Sequence, residues 1–326
     1  MTNNNNIMNE NIQGLVYDEA FELAKKEVDQ ILVKSPLIIR NYMKHLTTSH
    51  GKFIRAASVV LCAQDKEGFV HPNAVKIAAA IEILHLATLV HDDIIDNADI
   101  RRGNATLQKK FGKRTAVICG DYLLCTALKI ASSIENKKDY LDLKMPDYIG
   151  RVCLGELNQH INNDNINLSI YQYFKIISGK TAALFEASFY AGAVFSDANE
   201  KEVLKYKKLG FQIGMIFQLT DDCIDFENTI EVANKPVQSD YEQGVITLPL
   251  IHAFEQTTDF RDKAMKHEIT RSEINEVVNK TGGLSFTRMV VKKYYNKSVK
   301  IIQSLDTTEG KREGLMDLLN KASRLA

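Results

Sequence analysis

The sequence predicts an all-α protein, and three observations support this prediction. Apolar residues recur at three- and four-residue spacing through most of the 326-residue chain, which is the period of a helix rather than of a strand. The chain has only 17 Gly and 5 Pro, fewer breakers than the many tight turns of an all-β protein need. Several segments are apolar nearly all round, as expected of helices in the interior of a large bundle.

The positions of the helices are predicted from the apolar periodicity, from start signals such as Ser169 and from helix breakers. The predicted helices are 17–34, 36–46, 54–65, 73–96, 113–134, 147–161, 169–195, 199–226, 247–254, 272–280, 285–305 and 310–324. The polar stretch 227–244, which contains Pro236, is predicted to be a long ordered loop. No linker or repeat divides the chain, so we expect one domain over 16–326 after a disordered segment 1–15.

Composition and charge exclude several classes of protein. The 41 basic and 41 acidic side chains cancel, so no global positive field exists to collect nucleic-acid phosphates. The five cysteines are scattered and odd in number, and we expect buried, reduced thiols rather than disulfides or a zinc site. No signal peptide is evident, and the most apolar stretch, 75–90, is too short and too polar for a membrane span. We therefore expect a cytoplasmic protein.

Two acidic clusters share the spacing Asp-Asp-x-x-Asp. Asp92 and Asp96 are four residues apart and share one helix face, as do Asp221 and Asp225. Like charges at this spacing repel one another, and the C-terminus of a helix disfavours anions further. Hard divalent cations remove both penalties, and Mg²⁺ bound by carboxylates and substrate phosphate oxygens fits best. A solvated acidic helix end is the competing interpretation, which the repeated spacing disfavours.

Basic residues accompany both acidic clusters. They are Lys52 and Arg55 before the first cluster, Arg101 and Arg102 after it, Lys180 in an apolar helix, and Lys235 in the loop after the second cluster. Arg makes bidentate contacts with phosphate oxygens and Lys acts as a point charge. The set therefore predicts a cradle for diphosphate groups opposite the metal ions, although each residue taken singly also fits an ordinary surface charge.

These motifs occur in one order along the chain: Gly51-Lys52-x-x-Arg55, His85, the first Asp-Asp-x-x-Asp, Arg101-Arg102-Gly103, Lys180-Thr181 and the second Asp-Asp-x-x-Asp. From about residue 25 to 320, the chain resembles the trans-polyprenyl diphosphate synthases, in particular the medium- and long-chain type such as heptaprenyl and octaprenyl diphosphate synthases. The resemblance implies the isoprenoid synthase type I fold, a single-domain bundle of mostly antiparallel helices around a deep central cavity. It also implies a homodimer, and a complex with a different partner subunit is the alternative.

The activity that the resemblance implies is Mg²⁺-dependent elongation of an allylic diphosphate with isopentenyl diphosphate. The allylic C–O bond ionises, the isopentenyl double bond attacks the cation, and a proton leaves, so that an all-trans polyprenyl diphosphate is formed. Stabilising the departing diphosphate needs about three Mg²⁺ ions per active site and several cations. The reaction needs no Ser or Cys nucleophile.

The resemblance implies a role for each motif residue. The metal ligands would be Asp92, Asp96 and Asp221, with Asp93, Asp222 and Asp225 in support. The allylic diphosphate would contact Arg101, Lys180 and Lys235, and isopentenyl diphosphate would contact Lys52, Arg55, His85 and Arg102. Thr181 and Gln218 would present oxygen dipoles to the developing carbocation. Two positions depart from the family pattern: Ala56 replaces a common Pro, and Val245 replaces a second loop lysine. We expect the second departure to affect the affinity for the allylic diphosphate more than the activity.

The residues before Asp92 predict the length of the product. A helix rises about 5.4 Å per turn, comparable to one isoprene unit, so Ala87 and Thr88 form the first floor beneath the metals. Short-chain relatives place bulky aromatics there. The tail should pass this level and meet a deeper floor near Leu84 or Ile81, giving a product longer than about 20 carbons. A Phe or Tyr from a neighbouring helix that closes the pocket would instead give a farnesyl or geranylgeranyl diphosphate synthase.

Three other functions stay open at this point. A class I terpene cyclase shares the fold and the first metal motif, but it normally has a different second metal site and needs no second diphosphate site. A ferritin-like di-metal bundle would use a Glu-x-x-His element, which Glu82 and His85 match, but it needs a second such element. A non-catalytic subunit of a heteromeric synthase would lack both acidic clusters. His85 is thus either a phosphate contact or a core histidine.

Overall fold

The helices of the first half of the chain lead to the first acidic motif and away from it. A computed structural model describes residues 14–47, 51–134, 148–227, 241, 243–266 and 268–324. The elements are α1 (Tyr17–Val33), α2 (Arg40–Leu46), α3 (Ile54–Cys62), α4 (Pro72–Ile95), the antiparallel hairpin of β1 (Ile100–Arg101) and β2 (Asn104–Ala105), α5 (Leu107–Phe111) and α6 (Lys113–Ser132).

The second half supplies the facing wall of the bundle. Its elements are α7 (Tyr148–Ile161), α8 (Ile170–Ile177), a π-helical turn (Ser178–Ala182), α9 (Ala183–Val194), α10 (Glu200–Glu227), α11 (Leu248–Gln256), α12 (Thr258–Met265), α13 (Arg271–Thr281), α14 (Gly283–Gln303) and α15 (Glu309–Ser323). The predicted all-α class is confirmed.

The structure differs from the predicted elements in a few places. The hairpin, α5 and α12 were not predicted, because two-residue strands and helices of five and eight residues are too short to show a period. The helix predicted from residue 36 begins at Arg40, since the Pro36 carbonyl first accepts the Ile39 and Arg40 N–H groups in a turn. Most of the predicted loop, with Lys235, and residues 1–13 lie outside the described residues. Leu15 pairs with Val70 through two backbone hydrogen bonds.

The core surrounds α9, which is buried on every side from Ala183 to Ala193. This helix packs between α3 and α10, and its Phe185 and Phe189 are among the largest fully buried side chains. Burying a large apolar side chain contributes roughly 1.5–3 kcal/mol. Both α4 and α6 are long and apolar enough to qualify as membrane spans by length and composition, but half of the apolar window of α4 is buried in the bundle. Such burial is typical of a core helix.

The C-terminal helix α15 is fixed to α3 by a buried cation. Lys311 is 3% exposed, and its Nζ donates to the carbonyl oxygens of Cys62 at 2.8 Å and Gln64 at 2.7 Å. It also lies 4.8 Å from the ring centroid of Tyr206. Burial lowers the pKa of Lys311 to about 8. These carbonyls lie at and just beyond the end of α3, where a helix favours positive charge.

The cysteines agree only in part with the prediction of buried thiols. Cys62, Cys119 and Cys223 are buried and free, whereas Cys125 and Cys153 are free and exposed. The prediction was wrong for these two because they lie on faces of α6 and α7 that the described part of the chain leaves open.

We expect Gly192→Ala to destabilise the fold. A Cβ at this position of α9 would lie 2.3 Å from the Val59 carbonyl oxygen, and a helix backbone cannot move away alone. Overpacking costs about 1–3 kcal/mol, so the melting temperature in differential scanning calorimetry should fall by about 3 °C or more. Gly310→Ala is the control, because a Cβ there meets no atom within 4 Å. Equal melting temperatures of the two variants would contradict this packing.

Candidate active site

Both acidic motifs line one cavity between α4 and α10. Asp92 and Asp96 lie at the C-terminal end of α4, and Asp221 and Asp222 lie near the C-terminal end of α10. All four line a cavity of about 270 Å³, which is called the acidic cavity below. The structure therefore brings together two motifs that are far apart in the sequence.

Negative charge is concentrated in the acidic cavity. Burial and, after it, the neighbouring Glu156 carboxylate raise the pKa of Asp92 to about 7, although the Lys180 cation opposes this shift. Asp221 is exposed at the opposite wall. Among the described residues, no group of three or more His, Cys, Asp or Glu side chains is arranged to hold a metal ion by itself. The donors are nevertheless all hard oxygens, so they fit Mg²⁺ when substrate phosphate oxygens complete the coordination.

Lys180 enters the acidic cavity from the π-helical turn. Its Nζ donates to Glu156 Oε1 at 2.8 Å. Burial alone would lower the pKa of Lys180, but the Glu156, Asp92 and Asp96 carboxylates raise it overall, so the side chain is cationic. The turn packs directly on α7, since a Cβ on Gly155 would lie 2.2 Å from the Lys180 backbone nitrogen. Single π-helical turns occur frequently at functional sites.

A chain of hydrogen bonds joins the π-helical turn to the second acidic motif. Thr181 Oγ1 donates to Gln218 Oε1 at 2.6 Å, and Gln218 Nε2 donates to Asp222 Oδ1 at 2.8 Å. The Tyr173 hydroxyl donates to the other oxygen of Asp222, which is 1% exposed. This chain fixes the orientation of the Gln218 amide, and Tyr173 is a contact that the sequence reasoning missed.

Asp93 has a different environment from Asp92. It is buried, and its Oδ1 accepts a hydrogen bond of 2.7 Å from Arg101 Nε. Burial raises the pKa of Asp93, while the Arg101 cation opposes this shift. Asp93 therefore orients Arg101, which lines the acidic cavity, and does not line that cavity itself. Asp225 is half-buried near the end of α10.

A second, more apolar cavity adjoins the acidic cavity and shares Asp92, Lys180 and Gln218 with it. It has a volume of about 560 Å³, and Arg55 and His85 line its wall. Burial, followed by the nearby Arg55 and Arg102 charges, lowers the pKa of His85 well below its ordinary value. His85 is therefore neutral before an anion binds.

The remaining predicted cations are Lys52, Arg102 and Lys235. Lys52 is exposed in the loop before α3, and Arg102 packs against Gly51 of the same loop. Lys235 lies outside the described residues. Val245, where a second loop lysine was expected, lines the acidic cavity. Another cation that the sequence reasoning missed, Arg324, donates to Asp221 Oδ1 at 3.3 Å.

The second cavity narrows into an apolar end. A third cavity of about 60 Å³ shares part of its wall with the second. The shared residues are Thr88, His91, Val152, Cys153 and Leu184, and the others are Leu84, Ala87, Leu124 and Ile149. No Phe or Tyr is among the described residues that line it. Ile81 is buried in the core and lines none of these three cavities. Helices α6, α7 and α9 thus supply part of the floor.

Similarity to known proteins agrees with this geometry. The sequence profile of the polyprenyl synthetase family matches residues 36–281. Heptaprenyl diphosphate synthase component 2 of Bacillus subtilis is 31% identical over 313 residues, which cover 91% of this chain and 89% of that protein. The crystal structure of heptaprenyl diphosphate synthase from Staphylococcus aureus gives a TM-score of 0.86 at 30% identity, covering 95% of this chain and 99% of that one. Polyprenyl synthase from Caulobacter crescentus, complexed with calcium and isoprenyl diphosphate, gives 0.82 at 28% identity, covering 96% and 99%.

The chain belongs to the polyprenyl synthetase family. It is therefore a prenyltransferase, and the resemblance that its motifs indicated is confirmed. The isoprenoid synthase fold is confirmed as well, since the structures from Staphylococcus aureus and Caulobacter crescentus superpose over nearly the whole chain.

We expect Asp92→Asn to stabilise the metal-free protein at neutral and alkaline pH. The folded pKa of about 7 lies above the ordinary value of about 4. The stability linked to this protonation is therefore present below the ordinary pKa and is lost as pH rises through the folded pKa. Asn stays neutral, so thermal unfolding in chelator should occur about 2 °C or more higher than in the wild type at pH 8, with a smaller difference at pH 5. Asp317→Asn, on the exposed face of α15, is the control; identical behaviour of both variants would refute the buried charge.

Proposed function

We propose that this chain elongates an allylic diphosphate with isopentenyl diphosphate and releases an all-trans polyprenyl diphosphate longer than about 20 carbons. The observation that supports this function best is the acidic cavity, where two Asp-Asp-x-x-Asp motifs face each other beside a larger apolar cavity. A terpene cyclase is disfavoured, because its second metal site normally has other residue types and it does not need cations at Lys52 and Arg55.

The metal ions belong to the acidic cavity. Asp92 and Asp96 from α4 and Asp221 from α10 would hold about three Mg²⁺ ions, with Asp222 and Asp225 in support. When bound, these cations stabilise the negative charge of the departing diphosphate. The calcium in the Caulobacter crescentus polyprenyl synthase supports a divalent cation here.

Different residues bind the two substrates. Arg101, which Asp93 orients, and Lys180 bind the allylic diphosphate, and we expect Lys235 to join them. Lys52, Arg55, His85 and Arg102 bind isopentenyl diphosphate on the side of α3. The Thr181 hydroxyl donates a hydrogen bond to Gln218, so its oxygen lone pairs are available to the carbocation. The apolar walls exclude water from the cation, and the proton leaves to the released diphosphate.

An exposed apolar surface suggests a protein partner. Ile118 and Leu128 on α6 are 58% and 50% exposed, and Leu154, Leu157 and Ile161 on α7 are 66%, 52% and 69% exposed. Clusters of this kind mark protein interfaces. We propose that a second copy of the chain covers this surface in a homodimer, with residues 16–326 forming one domain in the cytoplasm. A heteromeric partner is the alternative, since a relative from Bacillus subtilis is named component 2.

We expect Asp221→Asn, like Asp92→Asn, to remove most of the condensation activity while the protein stays folded. Each substitution removes a metal ligand that stabilises transition-state charge, and losing such a contribution costs about 10²-fold or more in kcat. Incubation with farnesyl diphosphate, labelled isopentenyl diphosphate and Mg²⁺ measures the rate. Asp317→Asn should retain wild-type turnover, and near-normal rates for both site variants would refute the metal assignment.

Lys52→Ala and Arg55→Ala should raise the KM for isopentenyl diphosphate more than the KM for the allylic primer. Lys52 lies just before α3 and Arg55 in its first turn, and neither lines the acidic cavity where the diphosphate of the primer is proposed to bind. Losing one charge-assisted hydrogen bond costs about 1.5–3 kcal/mol, which corresponds to about tenfold or more in KM. Steady-state kinetics with each substrate varied in turn provides the test. Equal increases in both KM values would show that this segment is only structural.

Ala87→Phe should shorten the product to about 15 or 20 carbons while condensation continues. The added ring would fill the third cavity, whose wall Ala87 shares with Leu84 and Leu124. Chromatographic sizing of the labelled products provides the measurement. Leu204→Phe, on the exposed face of α10, should leave the product unchanged. A wild-type product that already stops at fifteen carbons would show that Ala87 does not set the length.

A further inference from the structure

Glu82 has no role in the function proposed so far. It lies on α4 one turn before His85. In the sequence, this pair matches the Glu-x-x-His element of a di-metal bundle. In the structure Glu82 lines none of the three cavities described above. Its Oε1 instead accepts a hydrogen bond of 2.8 Å from the Ala56 backbone N–H, and the Arg55 backbone N–H bonds to the same carboxylate. Glu82 is thus directed to the start of α3.

The start of α3 needs such an acceptor. The first N–H groups of any helix lack partners within the helix, and the preceding Phe53 supplies no side-chain cap. Phe53 also has φ of 51°, a left-handed conformation that costs a bulky residue free energy. The carboxylate of Glu82 offsets both costs from a neighbouring helix. Ala56 contributes here, because a Pro at this position would have no N–H to donate.

Lys52 in the loop before α3 and Arg55 in the first turn of α3 are two of the cations proposed to bind isopentenyl diphosphate. Arg55 lines the second cavity and its guanidinium carbon lies 4.7 Å from the Phe185 ring centroid. Its buried Nε has no hydrogen-bond partner in the described part of the chain. The hydrogen bonds described above join Glu82 to the backbone N–H of Arg55 and not to its guanidinium group. The guanidinium group is therefore available to an anion in the cavity.

We propose that Glu82 is a positioning residue for isopentenyl diphosphate: its carboxylate fixes the first turn of α3 and thereby aims Arg55 and Lys52 at the diphosphate. This inference rests on the proposed function of Arg55 and Lys52. Glu82 itself does not touch the substrate.

A different role for Glu82 would have the opposite effect on binding. If the carboxylate only balanced the charges of Arg55 and Arg102, its removal would leave the site more positive and would strengthen diphosphate binding. If Glu82 positions the loop, its removal weakens binding of isopentenyl diphosphate and leaves the allylic primer unaffected. The sign of the change in KM therefore separates the two roles.

The test compares Glu82→Gln, which keeps the size but removes the charge, with Glu82→Asp, which keeps the charge but shortens the reach. The matched control is Glu186→Gln, because Glu186 is a buried carboxylate that accepts a hydrogen bond of 2.8 Å from Arg151 of α7 rather than from the backbone of α3. Steady-state kinetics with farnesyl diphosphate and isopentenyl diphosphate varied in turn gives both KM values. The melting temperature of each variant reports on folding.

We expect Glu82→Gln, whose amide oxygen can accept the same N–H groups only without charge assistance, to raise the KM for isopentenyl diphosphate about fivefold and to leave the KM for farnesyl diphosphate within about twofold. Glu82→Asp should recover part of the loss, and Glu186→Gln should not change the ratio of the two KM values. If Glu82→Gln does not fold, the KM values of Glu82→Asp are compared with those of the wild type instead.

Equal changes in both KM values, or a lower KM for isopentenyl diphosphate in Glu82→Gln, would overturn the positioning role. If Arg55→Ala raises this KM and Glu82→Gln does not, the proposed function stands and only the role of Glu82 fails. A wild-type enzyme that does not consume isopentenyl diphosphate would instead overturn the proposed function.

Discussion

The concentration of negative charge between α4 and α10 is the constraint on which the rest of the site depends. Asp92 and Asp96 lie at the C-terminal end of a helix, where the helix dipole already disfavours anions, and Glu156 and Asp221 add to the charge. No group of carboxylates in the described chain forms a complete metal site. In the proposed function, metal ions and diphosphate that bind together would balance this negative charge.

Packing contacts and hydrogen bonds hold the charged side chains of the site in place. Gly155 allows α7 to touch the π-helical turn, which brings Lys180 next to Glu156 and Asp92. The Asp93 carboxylate accepts a hydrogen bond from Arg101 and orients it, while the Tyr173 hydroxyl donates a hydrogen bond to Asp222 and fixes that carboxylate. Within the first motif, Asp92 lines the acidic cavity and the neighbouring Asp93 orients Arg101, whereas Asp221 and Asp222 of the second motif both line this cavity.

Much of this site could be predicted from the sequence, because motif spacing and helix period are local properties. Four of the motif aspartates and four of the predicted basic residues line the two larger cavities, as a helical bundle would place them: Asp92, Asp96, Asp221, Asp222, Arg101, Lys180, Arg55 and His85. The partners of these residues could not be predicted, since Glu82 with Ala56 and Tyr173 with Asp222 are contacts between distant segments. The exposure of Cys153 and the floor formed by Leu124 depend on how α6 and α7 pack, which no local pattern records.

The most direct test of this account is the thermal stability of the wild-type protein with Mg²⁺ and inorganic diphosphate, added separately and together. Ligands that bind only the folded state raise its melting temperature. If the carboxylates hold metal only with phosphate oxygens, the combination should raise the melting temperature by several degrees, clearly more than the sum of the separate shifts. Purely additive shifts, or none, would contradict a metal and diphosphate site in the acidic cavity.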